Sequence, residues 1–122
     1  MSKPKQNFQI VIVGGGAGGI TVASILQKKF PKLSVALIDP AQSYDYQPAW
    51  TLVGAGEFDI KSTRRTIQSV MPANTTWVHE SVEGFDPEEQ CVVLRSGKKI
   101  AYEQLVVAAG LQTNWGQIEG LT

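Results

Sequence analysis

Residues 8–30 read FQIVIVGGGAGGITVASILQKKF, and the succession of residue types within them decides the fold. The opening FQIVIV, residues 8–13, is a short run dense in β-branched side chains, the pattern of a parallel strand buried on both faces. Six glycine or alanine residues, 14–19 (GGGAGG), follow at once. In the stretch after them Gly19, Ala23, Leu26 and Phe30 fall at helical spacing, and Lys28 and Lys29 complement the negative end of a helix that must stop before Pro31. Residues 34–38 (SVALI) form a second buried strand that ends at Asp39 and is broken by Pro40. Together these pieces make one complete βαβ unit.

The turn of that unit carries chemistry. Gly14-x-Gly16-x-x-Gly19 is weak as an isolated pattern, but here it follows a strand, opens a helix, and precedes an acid, Asp39, by twenty positions. The first glycine permits the tight turn, the second lets backbone N–H groups approach a pyrophosphate, and the third lets helix and strand pack closely. The helix N-terminus, with the amides of Ala17 and Gly18, stabilises the negative charge. Asp39 stands where a carboxylate accepts hydrogen bonds from both ribose hydroxyls of an adenosine and would repel a phosphate. The alternative is a glycine-rich turn without a ligand, and the surrounding context weighs against it.

The middle of the chain is less regular. AQSYDYQPAWTLVGAGEFD, residues 41–59, has no period; a helix is expected near residues 62–70, closed by Pro72, and residues 75–85 alternate as a strand. Residues 90–95 and 98–102 flank Ser96-Gly97, a two-residue turn signal that predicts a hairpin. The last strand covers residues 104–109 and reads LVVAAG from Leu105 to Gly110; residues 116–122 have neither a helical period nor a closing strand, so the chain reads as cut just outside its last element. No repeat or low-complexity segment occurs.

Composition excludes several classes of function. Eleven basic and eleven acidic side chains cancel, which leaves no positive field to gather nucleic acid or coat an anionic membrane. With 122 residues and an ordinary apolar share, one domain with one core is expected. No run approaches the roughly 20 apolar residues that span a bilayer, and residues 1–9 lack the apolar segment of a secretory signal and the arginines of a transit peptide. Cys91 is the sole cysteine, so the chain can build neither an internal disulfide nor a thiolate zinc site, and it fits a reducing compartment.

Other polar residues are weaker candidates. His79 has no partner histidine and reads as a surface position. Cys91, in EEQCVVLR, reads as a small core or hairpin residue rather than a redox thiol. Arg64-Arg65 reads as a solvated pair at the start of a polar helix.

The two glycine signals together, GxGxxG and the later LVVAAG, resemble the pyridine nucleotide-disulfide oxidoreductase superfamily. There the first fingerprint binds FAD, the later strand packs near its pyrophosphate, and a separate fingerprint binds the nicotinamide nucleotide or its vestige. Residues 44–58, YDYQPAWTLVGAGEF, are similar to the flavin-proximal segment of sulfide:quinone oxidoreductases of the mitochondrial-like type, above all in the run Gln47-Pro48-x-Trp50 to Gly56. Type II NADH dehydrogenases have a Pro-Leu-Leu-Tyr-like run at this place, and this chain departs from it. Pro48 fixes the backbone and removes an N–H, so that a loop can lie flat along a ring system, while Tyr46 and Trp50 offer aromatic surface. The plainer reading is that Trp50 and Leu52 anchor the loop on the core.

The resemblance implies an α/β, Rossmann-like, three-layer FAD-binding domain: a parallel sheet plus a small hairpin or antiparallel sheet, truncated, with residues 1–122 its N-terminal part. FAD would be held by Gly14, Gly16, Ala17, Gly18 and Gly19, by Asp39 and Pro40 at the ribose, by Gln47 and Pro48, by the backbone of Val82 at adenine, and by Ala109 and Gly110 near the pyrophosphate. For the whole enzyme it implies that sulfide attacks a cysteine disulfide beyond Thr122 and is oxidised to persulfide or polysulfide sulfur, with the electrons passing through FAD to a membrane quinone. The expected setting is cytoplasmic, with peripheral attachment to the inner membrane of a bacterium and a homodimer as the candidate assembly. Two other functions stay open: an NAD(P)H-dependent flavin oxidoreductase of the type II NADH dehydrogenase or disulfide reductase kind, marked by a second GxGxxG after Thr122, and a non-catalytic nucleotide-binding module.

Overall fold

The structure, a computed structural model, describes residues 6–121; most of the segment read for a leader, and Thr122, lie outside them. Strand β1 (Gln6–Val13) leads through the glycine turn into helix α1 (Ala17–Lys29) and strand β2 (Val35–Ile38). Both strands pair in parallel, Ile10 opposite Val35 through Val13 opposite Ile38. Their alternation divides the interior in two, as the pleat requires. Ile10, Ile12, Val35 and Leu37 pack with Ile20 and Ala23 of α1, whereas Val11, Val13, Ala36 and Ile38 face the other way. Both faces are buried, which is why the run carries no polar alternation.

Between β2 and the next parallel strand the chain makes an excursion of short elements: β3 (Ser43–Asp45), a 3₁₀ turn at Gln47–Ala49, α2 (Trp50–Gly54), a second 3₁₀ turn at Ile60–Thr63, β4 (Arg64–Thr66) and α3 (Ile67–Val70). The helix expected over residues 62–70 is thus a 3₁₀ turn, a strand and a single α-turn, with Thr66 capping the α-turn through its hydroxyl. Arg64 and Arg65 therefore lie on a strand, paired with Asp45 and Tyr44, and form a two-stranded antiparallel sheet. Local propensity favours helix over residues 62–70, but pairing with residues about twenty positions earlier prevails. The excursion is anchored by Ala49, Thr63 and Ile67, all buried, whereas Trp50 and Leu52 are 43% and 42% exposed and Trp50 is tied to Thr63 through its indole N–H at 3.3 Å.

Strand β5 (Thr75–Val78) joins β2 in parallel and stands at one edge of the sheet. The single strand expected over residues 75–85 is broken at residues 79–81: β6 (Val82–Asp86) departs from β5 and runs antiparallel to β7 (Cys91–Leu94). The predicted hairpin exists between β7 and β8 (Lys99–Val107), with Gly97 at φ +88°. Its turn is longer than two residues, because Gly97 N–H returns to the Leu94 carbonyl and Leu94 N–H reaches Lys98. The positive φ at glycine alone makes it a turn closed by one left-handed residue.

The hairpin is not a separate sheet. Its second strand and the final parallel strand are one continuous β8, antiparallel to β7 at Lys99 to Ala101 and parallel to β1 as far as Val107. The six strands run β5-β2-β1-β8-β7-β6. Val92, Leu94 and Ile100 of the antiparallel part pack against Val11, Val13, Ala36 and Ile38, opposite α1. The three layers are helix, parallel sheet and antiparallel meander, and the mixed α/β fold expected from sequence is present. Each fully buried Val, Leu or Ile contributes roughly 1.5–3 kcal/mol.

Candidate dinucleotide-binding site

From β1 the chain moves to β2 and β5 on one side, while β8 lies on the other, so the strand order reverses at the crevice between the C-terminal ends of β1 and β8. In open α/β sheets this is where a ligand is held. Gly14 stands at that point with φ +110°, its N–H bonded to the Ile38 carbonyl at 2.9 Å. A Cβ there would collide with the carbonyl of Ala108, the residue that follows β8 and donates to Val13 at 2.7 Å. Gly19 is equally constrained, since a Cβ would strike the Gly14 carbonyl oxygen. Two of the fingerprint glycines are therefore demanded by the protein's own packing.

Gly16 is different. It is the N-cap of α1, and a Cβ on it would meet no atom within 4 Å. No side-chain hydrogen bond caps this helix and its first turn has no acid, and Gly16 and Gly18 at its start are exposed whereas Gly19 is buried, so Ala17 and Gly18 carry the amides nearest the open end. These amides and the macrodipole of a 13-residue helix fit an anionic pyrophosphate. On the β8 side Ala109 and Gly110 continue past Ala108, with Gly110 at φ +73° and nothing near its missing side chain.

Asp39 joins the second strand to this turn. Its Oδ2 accepts from Gly15 N–H at 2.6 Å, and its Oδ1 accepts from Ala41 N–H at 2.7 Å. A carboxylate has about four acceptor sites, so two remain for ribose hydroxyls. Gly15 escapes the sequence reading because it is a free position in the pattern. A Cβ on it would sit 3.1 Å from Leu37 and 3.2 Å from Asp39 Oδ2, so it too has a reason to be glycine. The backbone behind Asp39 is tied to β5: Asp39 N–H donates to Val78, Trp77 Nε1 donates to the Asp39 carbonyl at 3.1 Å, and His79 Nε2 lies 2.8 Å from the Pro40 carbonyl. His79 is at the surface, as expected, but it has partners.

The structure thus gathers Gly14 to Gly19, Asp39, Pro40, Ala109 and Gly110 at one end of the sheet. Val82 does not end the third parallel strand; it opens β6, opposite Leu94, because the chain leaves the sheet after Val78. Gln47 and Pro48 sit exposed on the 3₁₀ turn of the excursion, and among the described residues no hydrogen bond ties their side chains to the glycine turn. That excursion is braced by a two-pronged Arg64–Asp45 pair, Nε to Oδ1 at 2.7 Å and the second nitrogen to Oδ2 at 3.1 Å, which holds the Asp45 carboxyl below its usual range. Burial, and then the neighbouring Tyr46, push the Tyr44 phenol up. Cys91 is fully buried in β7.

The sequence profile of the family described as "Pyridine nucleotide-disulphide oxidoreductase" matches residues 8–122. The chain belongs to this family. Among curated relatives, this family member is 45% identical over 120 residues to a mitochondrial sulfide:quinone oxidoreductase of Dictyostelium discoideum, covering 98% of this chain and 26% of that protein. It is 38% identical to the mitochondrial sulfide:quinone oxidoreductase of Mus musculus, over 96% of this chain and 26% of that one. Among solved structures, the sulfide:quinone oxidoreductase of Aquifex aeolicus superposes on 91% of this chain and 26% of its own with a TM-score of 0.73 at 29% identity. The chain spans about a quarter of the length of the curated relatives it matches.

Proposed function

We propose that this chain binds FAD, as the N-terminal part of the FAD-binding domain of a flavoprotein that oxidises sulfide and passes the electrons to a quinone. The observation that carries the cofactor reading is the Gly15–Asp39 bond, which sets an acid for adenosine beside an uncapped helix N-terminus suited to pyrophosphate. Gly16 leaves room there that no protein atom fills. Sulfide and quinone are taken from the likeness to sulfide:quinone oxidoreductases over nearly the whole chain.

Within this reading the amides of Ala17 and Gly18, with Gly14, Gly16 and Gly19 shaping the turn, hold the pyrophosphate, the Asp39 carboxylate accepts from the ribose, Pro40 and the Val82 backbone border the adenosine, and Ala109 and Gly110 close the β8 side. Gln47 and Pro48, on the excursion, face the flavin. Bound FAD would supply two-electron transfer between donor and acceptor. A thiol pair beside it must come from residues other than Cys91, which is buried in the meander. Among the described residues no helix is long and apolar enough to cross a membrane.

The test uses the full-length natural protein. Its visible spectrum should show bound flavin, and sulfide should bleach that spectrum under anaerobic conditions, with quinone restoring it. Bleaching by NADH but not by sulfide would favour an NAD(P)H-dependent flavin oxidoreductase instead. A protein that holds nucleotide without flavin absorbance would be a non-catalytic binding module.

A further inference from the structure

Asp39 and Pro40 follow Ile38, the last paired residue of β2, and the Asp39 N–H to Val78 bond is the final rung of the β2–β5 ladder, so Pro40 lies beyond it. Yet this short piece must aim a carboxylate. Three groups from the end of β5 hold it: the Val78 carbonyl accepts from Asp39 N–H at 3.1 Å, the Trp77 indole donates to the Asp39 carbonyl at 3.1 Å, and His79 reaches the Pro40 carbonyl at 2.8 Å. The two rings stack on each other, with centroids 4.5 Å apart and planes inclined by 27°. A carbonyl can only accept, so Nε2 of His79 carries the proton in this contact.

We infer that His79 is a positioning residue for the adenosine half of the dinucleotide, acting with its stacked partner Trp77 through the backbone of Asp39 and Pro40. The inference rests on the FAD reading above and assigns a part to a residue outside the fingerprint. Trp77 belongs to the apolar layer under α1, packed among core residues, and is itself held in place. His79 is exposed, so its bond to Pro40 contributes little to the core. What it does is restrict the one segment from which Asp39 projects. With Oδ2 on Gly15 and Oδ1 on Ala41, the carboxylate is oriented from its own side as well, and both sets of bonds must hold for its remaining acceptor sites to face a ribose.

The experiment uses the full-length protein stripped of flavin, with FAD and ADP titrated calorimetrically into wild type, His79→Phe, His79→Gln, Asp39→Asn and the His79→Phe/Asp39→Asn double variant. His79→Phe keeps a ring on Trp77 and removes the donor; His79→Gln restores a donor. The expected result is that His79→Phe weakens FAD and ADP alike by about three- to tenfold, the scale of one neutral hydrogen bond. His79→Gln should recover most of that loss, and in the Asp39→Asn background His79→Phe should cost less than twofold, since coupled residues do not add. Wild-type affinity in His79→Phe, or the same loss with and without Asp39, overturns the inference while leaving the FAD reading intact. Failure of the wild-type protein to bind FAD and ADP overturns both.

Discussion

The amide of Gly15 donates to Oδ2 of Asp39 at 2.6 Å, and this bond joins the turn after β1 to the end of β2. Two features separated by 24 positions in the chain become one site through it. Asp39→Ala removes the acceptor, and full-length protein should lose about 1.5–3 kcal/mol of FAD affinity, the range for a charged hydrogen bond. Calorimetric titration checks this; unchanged affinity would place the ribose elsewhere.

Gly16 and Gly19 should respond oppositely to alanine. A Cβ at Gly19 collides with the Gly14 carbonyl, whereas one at Gly16 meets nothing within 4 Å. Gly19→Ala should therefore destabilise the fold by more than about 2 kcal/mol, as overpacking does. Gly16→Ala should leave the melting temperature of the flavin-free protein within a degree or two and still weaken FAD binding at least tenfold. Thermal melts and FAD titrations on the same two variants decide it, and FAD affinity unaffected in Gly16→Ala would mean that the space is not the pyrophosphate site.

Cys91 is fully buried in β7, on the meander that covers the sheet face opposite α1. Cys91→Ser places a hydroxyl in that interior and should cost about 1–3 kcal/mol of stability. Sulfide-dependent quinone reduction per bound flavin in the full-length enzyme should stay within twofold of wild type. Loss of turnover with flavin content and melting temperature preserved would make Cys91 a redox thiol after all.

The Asp45–Arg64 pair carries a pH dependence. Its carboxyl titrates below the usual range because of the Arg64 hydrogen bond, so folding gains from the ionised form. That gain is present above the unfolded carboxylate value of about 3.9 and is lost as pH falls through the lower folded value. Asp45→Asn should abolish this part of the acid sensitivity, although Arg64 is exposed and Asp45 only partly buried, so the effect is small. Denaturant melts between pH 6 and about 2.5, wild type against variant, should converge at the acid end; parallel curves would show that the pair adds nothing.

Residues 1–122 expressed alone should associate or fold weakly. Val107, Trp115 and Ile118 are more than half exposed and Leu111 fully so, all beyond or at the end of β8. At roughly 25 cal/mol per Å², a few hundred Å² of uncovered apolar surface amounts to several kcal/mol, against a typical domain stability of about 5–15 kcal/mol. Sedimentation and near-ultraviolet circular dichroism, with FAD titrated in, give the measure. A cooperatively folded monomer with submicromolar FAD affinity would contradict this expectation.

The βαβ unit, its glycine turn and Asp39 were legible in the sequence because each rests on local chemistry: β-branched runs, helical spacing, and glycine where no side chain fits. The hairpin turn at Gly97 is local in the same sense. Tertiary structure decided the rest. Whether residues 62–70 become helix depends on Arg64 and Arg65 meeting Asp45 and Tyr44, and that pairing is invisible to a window of neighbours. The continuity of β8 is likewise non-local, since its first half serves the meander and its second half serves β1, and no residue type marks the handover. Gly15 and His79 carry no signal in sequence because their meaning lies in Asp39 and Pro40, which only the folded sheet brings within hydrogen-bonding distance.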